Sequence, residues 1–218
     1  MSIEQTKFVV SEAARLLKKE IGYLSDLDAM TGDGDHGVTI GKLSDAIIDA
    51  CGEVESDATL GELFDALFVK TMEVNGGCAG SLWAQMFSGI SEVAADAKEV
   101  TPDLLRGFYR GALTGLYEIS SAKAGEKTML DALIPAAKAA ELCPGGVCEI
   151  LSAAAKAAGE GAEATRQMSA RYGRAKHLKD STGYLDPGAV SLSFFMQALA
   201  RSCGQLNGRE DREEPDAD

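Results

Sequence analysis

Apolar residues recur three and four positions apart along nearly the whole chain, and this spacing restricts it to packed helices. Val9, Ala13, Leu16, Leu17, Ile21 and Leu24 share one face of a 3.6-residue repeat, and Leu105, Phe108, Ala112, Leu116 and Ile119 repeat the arrangement. Strand-like alternation bounded by turns is not evident. Breaks at 32–37, 51–59, 76–77, 101–102, 125, 144–146 and 173–188 divide the pattern. Eight helices are expected, near 3–22, 36–51, 59–74, 78–97, 102–122, 127–142, 147–171 and 187–203. Thr101–Pro102 and Asp186–Pro187 each place a capping oxygen before a proline that suits the first helical position. Pro135 is expected to bend the sixth helix, and Gly159 and Gly161 to kink the seventh. Short connections favour antiparallel neighbours. The expectation is an all-α single domain over residues 1–204, an antiparallel eight-helix bundle or barrel, with an acidic, disordered tail over 205–218.

Composition narrows the function. With 45% hydrophobic residues in 218, the chain can build a sizeable core. No apolar run approaches the ~18 residues of a membrane span, and MSIEQTKFVV lacks the basic-then-apolar order of a secretory signal. The five cysteines are odd in number and scattered; "CPGGVC" puts four residues between Cys143 and Cys148, with no second pair to complete a zinc site. Reduced thiols and a cytoplasmic location are expected. A net charge of −13 argues against nucleic acid as a partner. Against that acidic background Arg171, Arg174, Lys176, His177 and Lys179 precede the first acid at Asp180.

In an up-and-down bundle alternate loops share an end, and four such loops carry most of the unusual residues: TGDGDHG, NGGCAGS, KAGEKT and YLDPGA. The basic segment 171–180 joins them. Asp28, Asp33 and Asp35 are hard oxygen donors suited to Mg²⁺ or Ca²⁺. An EF-hand is excluded, because counting from Asp33 puts Val38 at the required glycine and Ser44 at the required glutamate. The bland alternative is that Asp35 caps a helix and the other two are solvated. GGCAGS at a helix start suits an anion, since glycines admit a ligand to backbone N–H groups backed by the helix dipole; a tight turn is the plainer reading. Lys127–Thr128 offers a phosphate-binding lysine and hydroxyl, or a solvated lysine. Arg174 suits either a phosphate or a helix C-terminus, and His36 either a ligand or the core. Carboxylates for magnesium, amides for phosphate and a lone basic loop together point to a magnesium–nucleotide site.

The motifs LDAMTGDGDHG, GGCAGSLW, GEKTMLDAL, GRA and DPGAVS resemble, in order and spacing, the nucleotide-binding L subunit of dihydroxyacetone kinases over roughly residues 5 to 203. The resemblance implies an eight-helix barrel holding ADP or ATP and two Mg²⁺ at one end. It implies Asp28, Asp33 and Asp35 as magnesium ligands. His36, Gly37, Val38 and Thr39 match positions beside the phosphates, and Gly77, Cys78, Ala79 and Gly80 form the glycine-rich phosphate loop. Lys127 and Thr128 belong with the same contacts, Met129 packs against adenine, and Arg174, Asp186, Pro187 and Gly188 make further nucleotide contacts. Arg174 is also the candidate catalytic residue, by charge stabilisation. Ala79 departs from the family's usual serine, and Glu126 from its aspartate. The implied partner is a separate K subunit that holds a short keto sugar. A phosphotransferase-system M subunit and a second copy of this chain are further candidates. The alternative is a non-catalytic nucleotide-binding module that regulates a partner.

Overall fold

The computed structural model describes residues 1–75 and 77–213, with side chains described through residue 206. Nine α-helices are present among the described residues: α1 (Ile3–Leu17), α2 (Ile21–Ala29), α3 (His36–Glu53), α4 (Leu60–Met72), α5 (Gly77–Ala94), α6 (Pro102–Ile119), α7 (Leu130–Leu142), α8 (Val147–Ala164) and α9 (Pro187–Glu213). Short 3₁₀ turns cover Lys18–Glu20, Thr165–Gln167 and Ala175–His177. Extended pairing among the described residues is limited to one isolated bridge between Ser2 and Glu99.

Local chemistry accounts for the helix starts. Ser2 and Gln5 form a reciprocal capping box on α1, and Thr59 and Glu62 do the same on α4. Thr101 accepts from the Leu104 amide ahead of Pro102, and Asp186 accepts from the Ala189 amide, as the two Xaa–Pro pairs foretell. Three expectations need correction. The first helix does not end near 22: a 3₁₀ turn at 18–20 re-forms it as α2, because Leu24 and Leu27 remain on the buried face and packing outweighs Gly22. The seventh expected helix stops at Ala164, seven residues early, and neither Gly159 nor Gly161 interrupts it. The last helix runs on to Glu213, through the start of the expected tail, while 214–218 lie outside the described residues.

α1 packs on α3, each later helix packs on its successor, and α9 returns to α1, so α1, α3, α4, α5, α6, α7, α8 and α9 close a ring flanked by α2. Small residues let backbones approach. A methyl on Gly89 would meet the Gly111 carbonyl at 2.1 Å, where α5 crosses α6. Pro135 leaves the Asp131 carbonyl without its helical donor, and Gly161 of α8 lies against that oxygen. The ring surrounds buried Trp83, Phe87, Leu17, Ile40, Leu63 and Leu133, plus an apolar cavity of about 90 Å³ beside Phe64, Phe108 and Phe195. Cys148 and Cys203 correct the expectation of reduced thiols: α8 and α9 bring their Cα atoms to 5.6 Å and they are bonded as a disulfide. Cys51, Cys78 and Cys143 are free. No described helix is long and apolar enough to cross a membrane.

Candidate functional site

The acidic loop is shaped by the way α2 ends. The amides of Thr31 and Gly32 both bond the Asp28 carbonyl, at 3.0 and 2.5 Å, so the chain doubles back at once. Gly34, at φ +78°, supplies the left-handed step that turns it again toward α3. Asp28, Asp33 and Asp35 thereby offer carboxylate oxygens that all lie within 4.8 Å of one another, Asp28 half-buried and the other two exposed. The bland reading of Asp35 does not hold. It occupies the N-cap of α3 without a side-chain capping bond, and the His36 amide turns instead to Asp28 Oδ2 at 3.3 Å. A hard, all-carboxylate donor set left uncapped fits a divalent cation. Among the described residues these acids make one ion pair, Arg174 to Asp33, at 2.5 Å.

The acids line one wall of a cleft of about 270 Å³, near the lower end of ligand pockets at about 300–1,000 Å³. Gly77, Cys78 and Ala79 line it from the first turn of α5, where Gly77 sits at φ +62°. Their end of the helix carries unpaired N–H groups and the positive pole of the dipole. Thr128 and Met129 line it before α7, Arg174 from the 165–186 connection, and Asp186, Pro187 and Gly188 from the start of α9. His36 and Thr39 complete the set. His36 Nε2 lies 3.0 Å from Ser191 Oγ, which donates to the Gly188 carbonyl, so α3 and α9 are locked together at the cleft. Burial pushes the imidazole below its ordinary value, with Asp28, a backbone bond to Pro187 and Asp35 acting the other way. Burial raises the Asp186 carboxyl to about 7, against the Ala189 amide bond and the charge of Lys127.

The structure places some of the expected residues differently. Gly37, Val38 and Gly80 do not line the cleft. A methyl on Gly37 would sit 2.1 Å from the Ile21 carbonyl, and one on Gly80 2.8 Å from that of Val74, so both are packing glycines; Val38 is 52% exposed. Lys127 reaches the cleft wall, but its ammonium donates to the carbonyls of Thr165 at 2.7 Å, Met168 at 3.3 Å and Tyr184. It is 2% exposed, and three protons on three carbonyls leave no donor for a phosphate. Its backbone sits at φ +60°, a left-handed position that costs a non-glycine residue roughly 1–2 kcal/mol. Asp131 holds that turn by accepting from the amides of Gly125 and Thr128, at 2.5 and 2.8 Å.

Sequence reasoning missed Thr31, Leu82, Trp83, Tyr172, Gly173 and Ala175, which also line the cleft. Leu82 and Trp83 were within reach of it, lying three and four residues after Ala79 and therefore on the same helical face. With Met129 they form an apolar wall beside the helix terminus. Tyr172 carries no local signal; its hydroxyl meets Ser121 Oγ at 3.1 Å, a contact made by the fold.

Comparison with known proteins identifies the family and the fold. The family model described as "DAK2 domain" matches residues 30–201. The ADP-binding subunit DhaL of the PEP-dependent dihydroxyacetone kinase of Escherichia coli is 28% identical over 92% of this chain and 98% of its own length. A dihydroxyacetone kinase of Pichia angusta is 30% identical over 90% of this chain, which spans only 34% of that longer protein. The crystal structure of the C. freundii dihydroxyacetone kinase in complex with AMP-PNP and Mg²⁺ aligns over 90% of this chain and 33% of that one, at 27% identity and a TM-score of 0.67.

Proposed function

We propose, on the premise that this chain belongs to the DAK2 domain family, that it is the nucleotide-holding half of a two-component kinase for short keto sugars. The observation that carries the reading is one cleft uniting three converging carboxylates, the first turn of α5 and an apolar wall. The C. freundii kinase, a third of whose length shares this fold, is in complex with AMP-PNP and Mg²⁺. The E. coli subunit, named as ADP-binding, matches this chain along almost its whole length.

Asp28, Asp33 and Asp35 would hold two Mg²⁺, whose chemistry is to neutralise phosphate charge and align the transferring group. The amides of Gly77, Cys78 and Ala79 receive phosphate oxygens at the positive end of α5. Leu82, Trp83 and Met129 enclose the base. Arg174 leaves Asp33 and stabilises charge on the phosphoryl group in flight. His36 is held by Ser191 and the Pro187 carbonyl, and its role is to fix the α3–α9 junction. The described residues of the cleft are accounted for by metal, phosphate and base, and the acceptor comes on a separate K-type subunit, which selects the keto sugar. The setting is cytoplasmic, with ADP recharged by an M subunit or exchanged for ATP.

The test is to mix purified chain, Mg·ATP and a dihydroxyacetone-loaded K subunit and follow sugar phosphate. Turnover is expected only with both proteins present, either directly from Mg·ATP or once an M subunit and its phosphoryl donor are added. Steady turnover by this chain alone, or no Mg·ADP binding by calorimetry, refutes the reading.

A further inference from the structure

Lys127 remains unexplained by the nucleotide reading. It is among the most buried charged groups of the chain, it sits in a left-handed backbone conformation, and it forms no ion pair among the described residues. Its ammonium makes three bonds, all to one connection. Thr165 and Met168 mark where the chain leaves α8, and Tyr184 lies two residues before the cap of α9. One cation from the α6–α7 loop thus grips both stems of the excursion between them. That excursion carries Tyr172, Gly173 and Arg174 into the cleft.

The neighbouring bonds show why the grip matters. The Asp186 amide donates to Thr165 Oγ1 at 2.9 Å, so the α9 cap hangs from the same stem residue that Lys127 holds by its carbonyl. The Arg171 amide donates to the Glu126 carbonyl at 3.1 Å, tying the excursion to the residue before Lys127. Arg166 also bridges to the Gly183 carbonyl, but it does so in exposed surroundings where water competes. The Gly183 amide to the Arg166 carbonyl and the Ala170 amide to Ser181 Oγ, both at 2.7 Å, join the two limbs from within; Lys127 holds both stems from outside the connection, with its bond to the Thr165 carbonyl buried. Bonds inside the low-dielectric interior hold geometry more firmly than their exposed counterparts.

We infer that Lys127 is a positioning residue for the transfer reaction: it clamps the two stems of the 168–184 excursion and so delivers Arg174 to the phosphate end of the cleft. This rests on the nucleotide reading above. Lys127 touches no ligand itself; it acts through Arg174 and the start of α9. The role follows from the carbonyls it holds and differs from the phosphate contact its motif suggests.

The experiment is a double-mutant cycle on the full chain with Lys127→Met and Arg174→Ala, titrated with Mg·ADP by calorimetry and with Mn²⁺ alone by electron paramagnetic resonance. Lys127→Met is expected to weaken Mg·ADP at least tenfold, to leave Mn²⁺ affinity equal or tighter, and to speed amide exchange selectively over 168–184. Adding Arg174→Ala to Lys127→Met is expected to cost less than twofold further, although Arg174→Ala alone costs about tenfold, because coupled residues lose additivity. Should Lys127→Met fail to fold, Lys127→Gln, which keeps two N–H donors, carries the same comparison. Normal Mg·ADP affinity in a folded variant, or additive losses in the cycle, overturns the inference. Absence of Mg·ADP binding by the wild-type chain is a different outcome and strikes the nucleotide reading, while the exchange measurement still reports on the clamp.

Discussion

Gly37→Ala separates packing from ligand contact at the start of α3. The ideal methyl would lie 2.1 Å from the Ile21 carbonyl oxygen, 2.4 Å from Ser25 Oγ and 2.8 Å from the Ser25 amide. Contacts under 3.0 Å are essentially never seen for Cβ atoms, so α2 and α3 must part by about 0.9 Å. Two of the three obstacles are backbone, which leaves no side-chain rotation to absorb the strain. Overpacking of this kind costs about 1–3 kcal/mol. Replacing a helical glycine returns roughly 0.5–1 kcal/mol, so the net loss is on the order of 1–2 kcal/mol and lowers Tm by about 2–8 °C. Function suffers more than stability. Asp28 belongs to α2 and Asp35 adjoins α3, so the same displacement opens the carboxylate triad. Sites of this type tolerate only about 0.5 Å of error. Differential scanning fluorimetry and Mn²⁺ titration check both halves, with metal affinity expected to fall at least tenfold. An unchanged Tm with normal metal binding would refute the close approach; a normal Tm with lost nucleotide binding alone would restore Gly37 as a ligand contact.

Asp33→Asn and Asp35→Asn are each expected to abolish magnesium-dependent nucleotide binding by calorimetry while circular dichroism stays helical. Their metal-free stabilities are expected to diverge: Asp35→Asn relieves repulsion without losing a partner, whereas Asp33→Asn forfeits the Arg174 pair, a difference of about 0.2–1 kcal/mol at an exposed site. Ala79→Ser restores a hydroxyl on the cleft wall and is expected to tighten Mg·ADP up to about tenfold and slow its release, while Ser81→Ala, exposed and off the cleft, changes little; an accelerated off-rate in Ser81→Ala would reverse this. Asp186 holds its proton to about pH 7 when folded and to roughly 4 when unfolded, so the metal-free protein loses stability as pH rises between those values, by at most about 4 kcal/mol. Asp186→Asn keeps the acceptor for the Ala189 amide and removes that slope; parallel Tm-against-pH curves for the two proteins in EDTA would contradict the assignment.

The parts of this fold visible in the sequence are those with a local cause. Capping oxygens before prolines placed α6 and α9, and the acidic loop announced itself because three carboxylates within eight positions have no packing rationale. The break after Leu17 was invisible for an equally local reason. A three-residue 3₁₀ turn advances the chain by one i+3 step, so Leu17, Ile21 and Leu24 keep an unbroken helical spacing across it. The Cys148–Cys203 bond joins residues 55 apart, and it depends on where α8 meets α9, which spacing alone does not encode. Tyr172 was missed on the same ground, since a residue in a long connection reaches the cleft only once both its stems are fixed.

Glycine and lysine show where residue type misleads. A glycine beside a ligand and a glycine between two helices look alike in sequence, because both serve close approach; the partner differs, and the partner is a tertiary fact. Gly77, with no atom within 4 Å of its would-be methyl, has the open surroundings of the first kind, and Gly37 and Gly80 belong to the second. Lysine divides in the same way. Its three donors suit phosphate oxygens and backbone carbonyls equally, and the choice falls to whichever acceptors the fold brings into reach. At Lys127 the end of α8 and the approach to α9 supply three carbonyls in a place shut off from water, and burial lowers the ammonium's pKa. Each N–H of the group meets a carbonyl there, which offsets the cost of burying it and ties both stems of the segment it binds.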